Sequence, residues 1–203
     1  MLKVHFLTMH KGTQERHNTS RLTTKEMRAV SMGILGGNPK DETMHYGEIS
    51  SVWSASTVAK GAVSFYQAYH NHAGDKDLKK LIEDYIDQAK QEIKEFDEIL
   101  NANGIAPAPM MADRPRVNLE DIPVGARFAD QEIAAAISAD TATGLVACTQ
   151  AMAMCIREDI AALFAKYVAA KTVLGGKTLR MLKDKGWLVP PPLQIKRPET
   201  VEV

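Results

Sequence analysis

Few residues in this sequence have the type and spacing to do chemistry. The only Glu-x-x-His is Glu42-Thr-Met-His45. A dinuclear carboxylate metal centre takes such a pair from each of two helices in a bundle, with one further Glu from each of the other two. Here the pair lies in a turn-rich stretch before the first helical segment, and no His occurs in the three later helical segments. A chance match is the favoured reading, because the motif counts only in its structural context. His70 and His72 are two apart and would face different ways on a helix. Their place near a helix C-terminus is accounted for by the helix dipole. Glu92, beside an apolar seam, and Asp140, inside an apolar run, sit where a charge is costly unless partnered. The simplest account is a boundary Glu that reaches out to water and an Asp bonded to a hydroxyl or a lysine, with Lys60 and Lys171 as partners. A metal or proton-transfer role for Glu92 and Asp140 is the rival. Cys148 and Cys155 are seven apart, about 10.5 Å along a helix, too far for a disulfide. They read as small buried apolar residues. Tyr66, Tyr69, Tyr85 and Tyr167 read as core aromatics with hydroxyls at the rim, and Met110, Met111, Met152 and Met154 as gap fillers. There is no glycine-rich phosphate loop, no Gly-x-Ser-x-Gly and no Cys-x-x-Cys. No catalytic, cofactor-binding or metal residue is assigned, no cofactor is expected, and the chain reads as non-enzymatic.

The composition sets the frame. The chain has 203 residues, 45% hydrophobic and 25% charged, enough to bury a core without disulfides. The formal net charge is zero, which gives no electrostatic footprint for nucleic acid. Residues 1–31 carry six Lys or Arg against two Glu, and the remainder nineteen basic against twenty-three acidic residues, a net of −4. That acidic body argues against DNA or an anionic membrane as partner. No apolar run approaches the roughly 18 residues of a membrane span. No signal-peptide core is present, since His5 and Thr8 interrupt Val4, Phe6 and Leu7. Two cysteines without a pairing pattern fit a reducing cytoplasm.

The elements follow from periodicity. Residues 1–31 lack a sustained period and are expected to be a disordered arm. Alternatively, translation begins at Met32, which mass spectrometry of the native protein would decide. Residues 32–47 form a lead-in, 48–189 a four-helix bundle and 190–203 an extended proline-rich tail. The first helix is expected over about Glu48 to Ala73, with Val52, Ala55, Ala59, Ala62, Tyr66 and Tyr69 as its seam and Ile49, Trp53 and Val63 widening it. Gly74 supplies the stop. The second, about Lys76 to Asn103, is capped by Asp75. Its seam Ile82, Ile86, Ala89, Ile93, Phe96 and Leu100 steps by 4, 3, 4, 3 and 4. The three-residue joint between them makes an antiparallel hairpin.

Prolines 107, 109, 115 and 123 then forbid a helix. A helix of this length is about 39 Å long, and about 25 residues of extended chain can run past it. That permits a crossover, which places helices two and three parallel. The third helix, from Asp130 as cap to about Ile156, is small and apolar nearly all round and must be covered nearly all round. This predicts a homo-oligomer, a dimer through helix three. The fourth runs from about Arg157 or Glu158 to Lys185, with Leu163, Tyr167, Ala170, Leu174, Thr178 and Met181 as seam. No Gly or Pro marks the joint between helices three and four, and it is inferred near Cys155 to Asp159 from compactness. Gly175-Gly176 costs about 1 kcal/mol per residue against Ala, which a close helix crossing would explain. The fold class is all-α: a ferritin-like antiparallel four-helix bundle with a long helix 2–helix 3 crossover.

From Met32 onward the chain resembles a family of uncharacterised proteins from endospore-forming bacteria. The stretches that carry this are Met-Gly-Ile-Leu-Gly-Gly-Asn-Pro-Lys-Asp-Glu (32–42), Met-His-Tyr-Gly-Glu (44–48), Asn-His-Ala-Gly-Asp (71–75), Ala-Lys-Gln-Glu-Ile-Lys-Glu (89–95) and Lys-Gly-Trp-Leu-Val-Pro-Pro-Pro (185–192). The resemblance implies a ferritin-like fold, similarity to the spore coat protein F group and a spore context, with no catalytic residues to carry over. The function expected is that of a non-enzymatic structural or interaction protein, a spore coat or spore-associated component of cytoplasmic origin. The alternative is a ferritin-like metal-binding protein with a non-standard carboxylate site, and a small-ligand carrier is a third option that a large apolar pocket would favour.

Overall fold

The computed structural model describes residues 39 to 194. The arm or alternative start at 1–31, most of the lead-in and the end of the tail lie outside the described residues. Four long helices account for most of the rest: α1 (Tyr46–His72), α2 (Lys76–Ala102), α3 (Asp130–Met154) and α4 (Glu158–Asp184). Three single-turn 3-10 segments sit in the lead-in and the long loop, and no strand occurs among the described residues.

The seam of α2 is buried as its spacing predicts, from Leu78 through Leu100. The seam of α4 is shifted. Ile160, Phe164, Tyr167, Leu174, Thr178 and Leu182 are buried, whereas Leu163 and Met181 only flank the core. On α1, Trp53 does not widen the core face but is 40% exposed, and Glu48 and Lys60 are buried instead. Gly74 is not a left-handed stop; α1 ends on Ala73 in extended backbone. Left-handed glycines do end α2 and α4, at Gly104 (φ 73°) and Gly186 (φ 69°).

Hydrogen bonds between helix ends fix the topology. The α1–α2 joint meets the start of α3, where Asp130 Oδ1 and Oδ2 accept from the backbone N–H of Gly74 and Asp75 at 2.7 and 3.0 Å. At the other end, the α3–α4 joint meets the start of α1. Glu48 Oε1 accepts from the backbone N–H of Ile156 and Arg157, both at 2.8 Å. Helices α1 and α3 are therefore antiparallel. Lys185 at the end of α4 pairs with Asp75 at the start of α2, at 2.7 Å, so α2 and α4 are antiparallel too. Helices α2 and α3 then run parallel, and residues 103–129 cross the length of the bundle. This is the single-crossover connectivity of ferritin-like bundles.

Asp130 thus caps the opposite hairpin and not its own helix. The cap of α3 is Ala129, whose N–H donates to Glu132 at 2.7 Å. The joint between α3 and α4 needs no Gly or Pro because a buried carboxylate from α1 satisfies its N–H groups. Arg157, also buried, closes that end: its guanidinium donates to Asp159, to the Glu42 carbonyl and to Asn103. The neighbouring Arg157 guanidinium holds the Asp159 carboxyl below the usual carboxylate range.

The crossover is pinned along a polar stripe on α1, at Lys60, Ser64, Gln67 and Asn71, spaced 4, 3 and 4. Lys60 Nζ donates to the Ala108 carbonyl at 2.6 Å, Arg114 Nε to the Ser64 carbonyl at 3.0 Å, the Arg114 N–H to Gln67 at 2.9 Å, and Asn71 to the Pro115 carbonyl at 3.0 Å. Lys60 also pairs with Asp97 of α2 at 2.8 Å. Met110 and Met111 lie in this loop about half exposed and fill no core gap.

Glu48 carries a specific expectation. Glu48→Ala removes the acceptor of three backbone N–H groups, Ile156, Arg157 and His45, and should cost about 3 kcal/mol. Glu48→Gln, which keeps a carbonyl acceptor, should cost about half as much. Urea unfolding followed by circular dichroism measures both, and equal stability of Glu48→Ala and wild type would contradict the clamp.

Candidate functional site

The core divides along the bundle axis. One apolar cluster, built on Leu78, Ile82, Ile133, Ile137, Leu174 and Leu182, fills the end where α3 begins. Another, built on Val52, Phe96, Leu100, Ile160, Phe164 and Tyr167, fills the opposite end. Between them lies a polar waist. Lys171 of α4 reaches Glu92 of α2 at 2.6 Å, and Gln88 donates to the same carboxylate oxygen at 2.9 Å. Lys171 gets there by lying across Gly144 of α3; a Cβ at that glycine would sit 3.2 Å from Lys171 Cδ. The Tyr85 hydroxyl is buried 2.8 Å from both Thr141 and Thr178. Each of those threonines also donates to the carbonyl four residues before it, Ile137 and Leu174. The Tyr66 hydroxyl donates to Asp140. Burial first, and then that hydrogen bond to Asp140, raise the Tyr66 phenol well above its ordinary value, so it stays a donor.

The two long seams between the hairpins differ. The α2–α4 seam is bridged by Glu95–Lys166, Glu92–Lys171 and Asp84–Lys177. Burial pushes the Glu95 carboxyl up, but hydrogen bonds from Lys166, Gln91 and Tyr167 outweigh it and hold it low. The α1–α3 seam is lined by small side chains and does not close. It contains a cavity of about 400 Å³ that reaches the waist, with Ala55, Ala59, Ala62, Ala147 and Ala151 among its walls; the buried Tyr66, Tyr85 and Glu92, the half-buried Lys171 and the exposed Asp140 also line it.

The residues singled out by sequence fall as follows. Glu92 does not reach out to water; it is 5% exposed, because Lys171 answers its charge inside. Asp140 is bonded to a hydroxyl, as expected, but its partner is Tyr66. Lys60 pairs with Asp97 and has no part in the waist. His45 is occupied as the cap of α1: its Nδ1 accepts from the Gly47 N–H at 2.9 Å, which leaves Nε2 to donate to the Met154 carbonyl at 3.2 Å. His70 contacts Arg116 and Glu83, and burial followed by the Arg116 charge lowers its basicity. His72 accepts from the Phe128 N–H at 3.2 Å. The hydroxyls of Tyr66 and Tyr85 belong to the interior and not to the rim. Cys148 is buried and Cys155 half-buried. Burial raises both thiols, with Glu48 and Asp159 adding to the effect at Cys155, which is pushed up to about 11. Among the described residues no three His, Cys, Asp or Glu side chains come together as a metal would require. Sequence reasoning missed the Tyr85–Thr141–Thr178 cluster. Its signal was a Thr on the core side of α3 and of α4.

These features define a class: an all-helical bundle of four antiparallel helices with one long crossover, and with a lysine–glutamate pair and buried hydroxyls at its centre. The chain belongs to the DUF3231 family, "Protein of unknown function", whose model matches residues 32–200. It is 48% identical over 166 residues to the uncharacterized protein YvdQ of Bacillus subtilis (strain 168), across 82% of this chain and 98% of that one. The crystal structure of a "putative spore coat protein" from Bacillus halodurans C-125 is similar with a TM-score of 0.77 and 46% identity, covering 78% of this chain and all of that one. Both relatives come from endospore formers. A conserved hypothetical protein, rv2844, from Mycobacterium tuberculosis has a TM-score of 0.56 at 12% identity, over 69% of this chain and all of that one, a likeness of fold alone. No helix among the described residues is long and apolar enough to cross a membrane.

Two outcomes follow, one from the waist and one from the α3–α4 joint. Glu92→Leu leaves Lys171 unanswered and should cost about 3 kcal/mol in chemical unfolding, whereas the double change Glu92→Leu/Lys171→Met should restore most of it. A double variant no more stable than the single one would contradict that account. At neutral pH, iodoacetamide should modify Cys155 roughly one to two orders of magnitude more slowly than an unhindered thiol, since the thiolate is the reacting form. Mass spectrometry of a time course measures this.

Proposed function

We propose that this chain is a non-enzymatic structural protein of the spore that acts as a homodimer through the outer face of the α3–α4 hairpin. The observation that carries the proposal is a second seam on each of these helices, on the side away from the core. On α3 the exposed residues Ala135, Ala139, Ala142, Val146, Thr149 and Ala153 step by 4, 3, 4, 3 and 4. On α4 the exposed residues Ala162, Ala165, Ala169, Thr172, Gly176 and Leu179 step by 3, 4, 3, 4 and 3.

A spacing alternating between three and four is that of packed helices, and small side chains let two axes approach closely. Val146 and Val173 stand on this face, 68% and 62% exposed. A contiguous apolar face of this kind marks an interaction surface. A two-fold axis would pair it with itself. The Bacillus relatives support the spore context.

Static light scattering should give a dimer at micromolar concentration. Ala142→Arg with Ala165→Arg should give a monomer of unchanged helix content. A monomeric wild type would remove the dimer, and immunodetection of the protein outside the coat fraction of purified spores would remove the spore assignment. Stoichiometric iron or manganese that is lost in Glu92→Ala would replace the structural reading with a metal-binding one.

A further inference from the structure

The α1–α3 cavity is used by none of this. Its volume of about 400 Å³ falls in the range of small-molecule sites, about 300–1,000 Å³. Its mouth on α3 is bordered by Thr143, Ala147, Gln150 and Met154, one strip round from the outer seam of α3, so it is distinct from the surface assigned above to the dimer.

Three charged side chains line it. Glu92 and Lys171 are 2.6 Å apart and neutralise each other. Asp140 remains. The Tyr66 hydroxyl bonds its Oδ2, but a phenol supplies no charge, and no cation pairs with Asp140 among the described residues. The lining therefore carries one uncompensated negative charge. The rings of Tyr66 and Tyr85, with centroids 5.5 Å apart, line the same cavity. The walls are mostly apolar, the alanines on α1 and α3 with Val58 and Met154 near the opening, interrupted by the hydroxyls of Ser50, Ser51, Ser54 and Thr143. A site with mostly apolar walls and one net negative charge selects an apolar molecule that carries one positive charge.

We propose that this cavity binds a small amphipathic amine, its cationic nitrogen at Asp140 and Tyr66 and its apolar body against the alanine walls. The dimer and spore readings are not required for it.

Isothermal titration of the full chain with n-octylamine, n-octanol and octanoate tests this. Octylamine should bind about tenfold or more tighter than the other two, the effect of one charge-assisted hydrogen bond. Asp140 and Ala147 are exposed at the cavity mouth, so changes there should leave the core packing intact. Asp140→Asn should bring the three probes to within about twofold of one another. Ala147→Phe should abolish octylamine binding, with helix content and unfolding midpoint unchanged. Failure of octylamine to bind, equal affinity for all three probes in the wild type, or undiminished binding in Ala147→Phe would each overturn the proposal. Loss of the dimer in Ala142→Arg/Ala165→Arg with octylamine binding retained would leave it standing.

Discussion

Two carboxylates hold this bundle together at its ends. A helix begins with N–H groups that its own turns cannot satisfy, and a helical reversal exposes them at the joint. In each hairpin the missing acceptor comes from the other one. Asp130, in the first turn of α3, serves the joint between α1 and α2. Glu48, in the first turn of α1, serves the joint between α3 and α4. The arrangement is reciprocal, so neither hairpin has a finished end until the two have docked. A negative charge there also meets the positive end of a helix dipole. The crossover, threaded along the polar stripe of α1, then fixes which hairpin end meets which.

Between these clamps the molecule trades apolar packing for polar bonds. Both ends of the core are filled by large side chains, with the Phe164 and Tyr167 rings each tilted against Phe96 at 5.3 Å at one of them. At the middle, Gly144 on α3 lets Lys171 in. The close approach at Gly175, where a Cβ would sit 3.2 Å from Thr141 Cγ2, brings α4 against α3 there. One glycine of the pair is thus explained; nothing lies near a Cβ at Gly176. The α2–α4 seam is closed by long charged side chains. Those with Lys166 and Lys177 are half exposed and add little stability. The α1–α3 seam offers mostly serines, alanines and threonines, and these leave space.

Much of this was legible in the order of residues. The seam of α2 is strictly periodic because α2 meets neighbours on one side and water on the other. The proline-rich stretch declared a loop, and its length allowed the crossover. What could not be read depended on partners remote in sequence. The reversal after Met154 carries no Gly or Pro because Glu48, more than a hundred residues earlier, makes it possible. Lys171 could be offered as a partner for a carboxylate, but Glu92 looked like a boundary residue because a single helix does not reveal that the two will meet inside the bundle. The seam of α4 was right at Tyr167, Leu174 and Thr178 and off by one position at its two ends, since Leu163 and Phe164, or Met181 and Leu182, are equally apolar neighbours, and only packing chooses between them. The outward seam of α4 was hidden for a related reason: alanine is as much at home on a surface as in a core.

The hydroxyl cluster at the centre has a property of its own. Tyr85, Thr141 and Thr178 together make four close oxygen contacts, two between Tyr85 and the threonines and two from the threonines to carbonyls. Each hydroxyl owns a single hydrogen. Three hydrogens cannot occupy four links at once, so one link is always vacant, and rotating a hydroxyl moves the vacancy. The heavy atoms stay still while the bonding pattern permutes. The middle of an otherwise fixed bundle therefore keeps a small reserve of disorder, lodged in its protons alone.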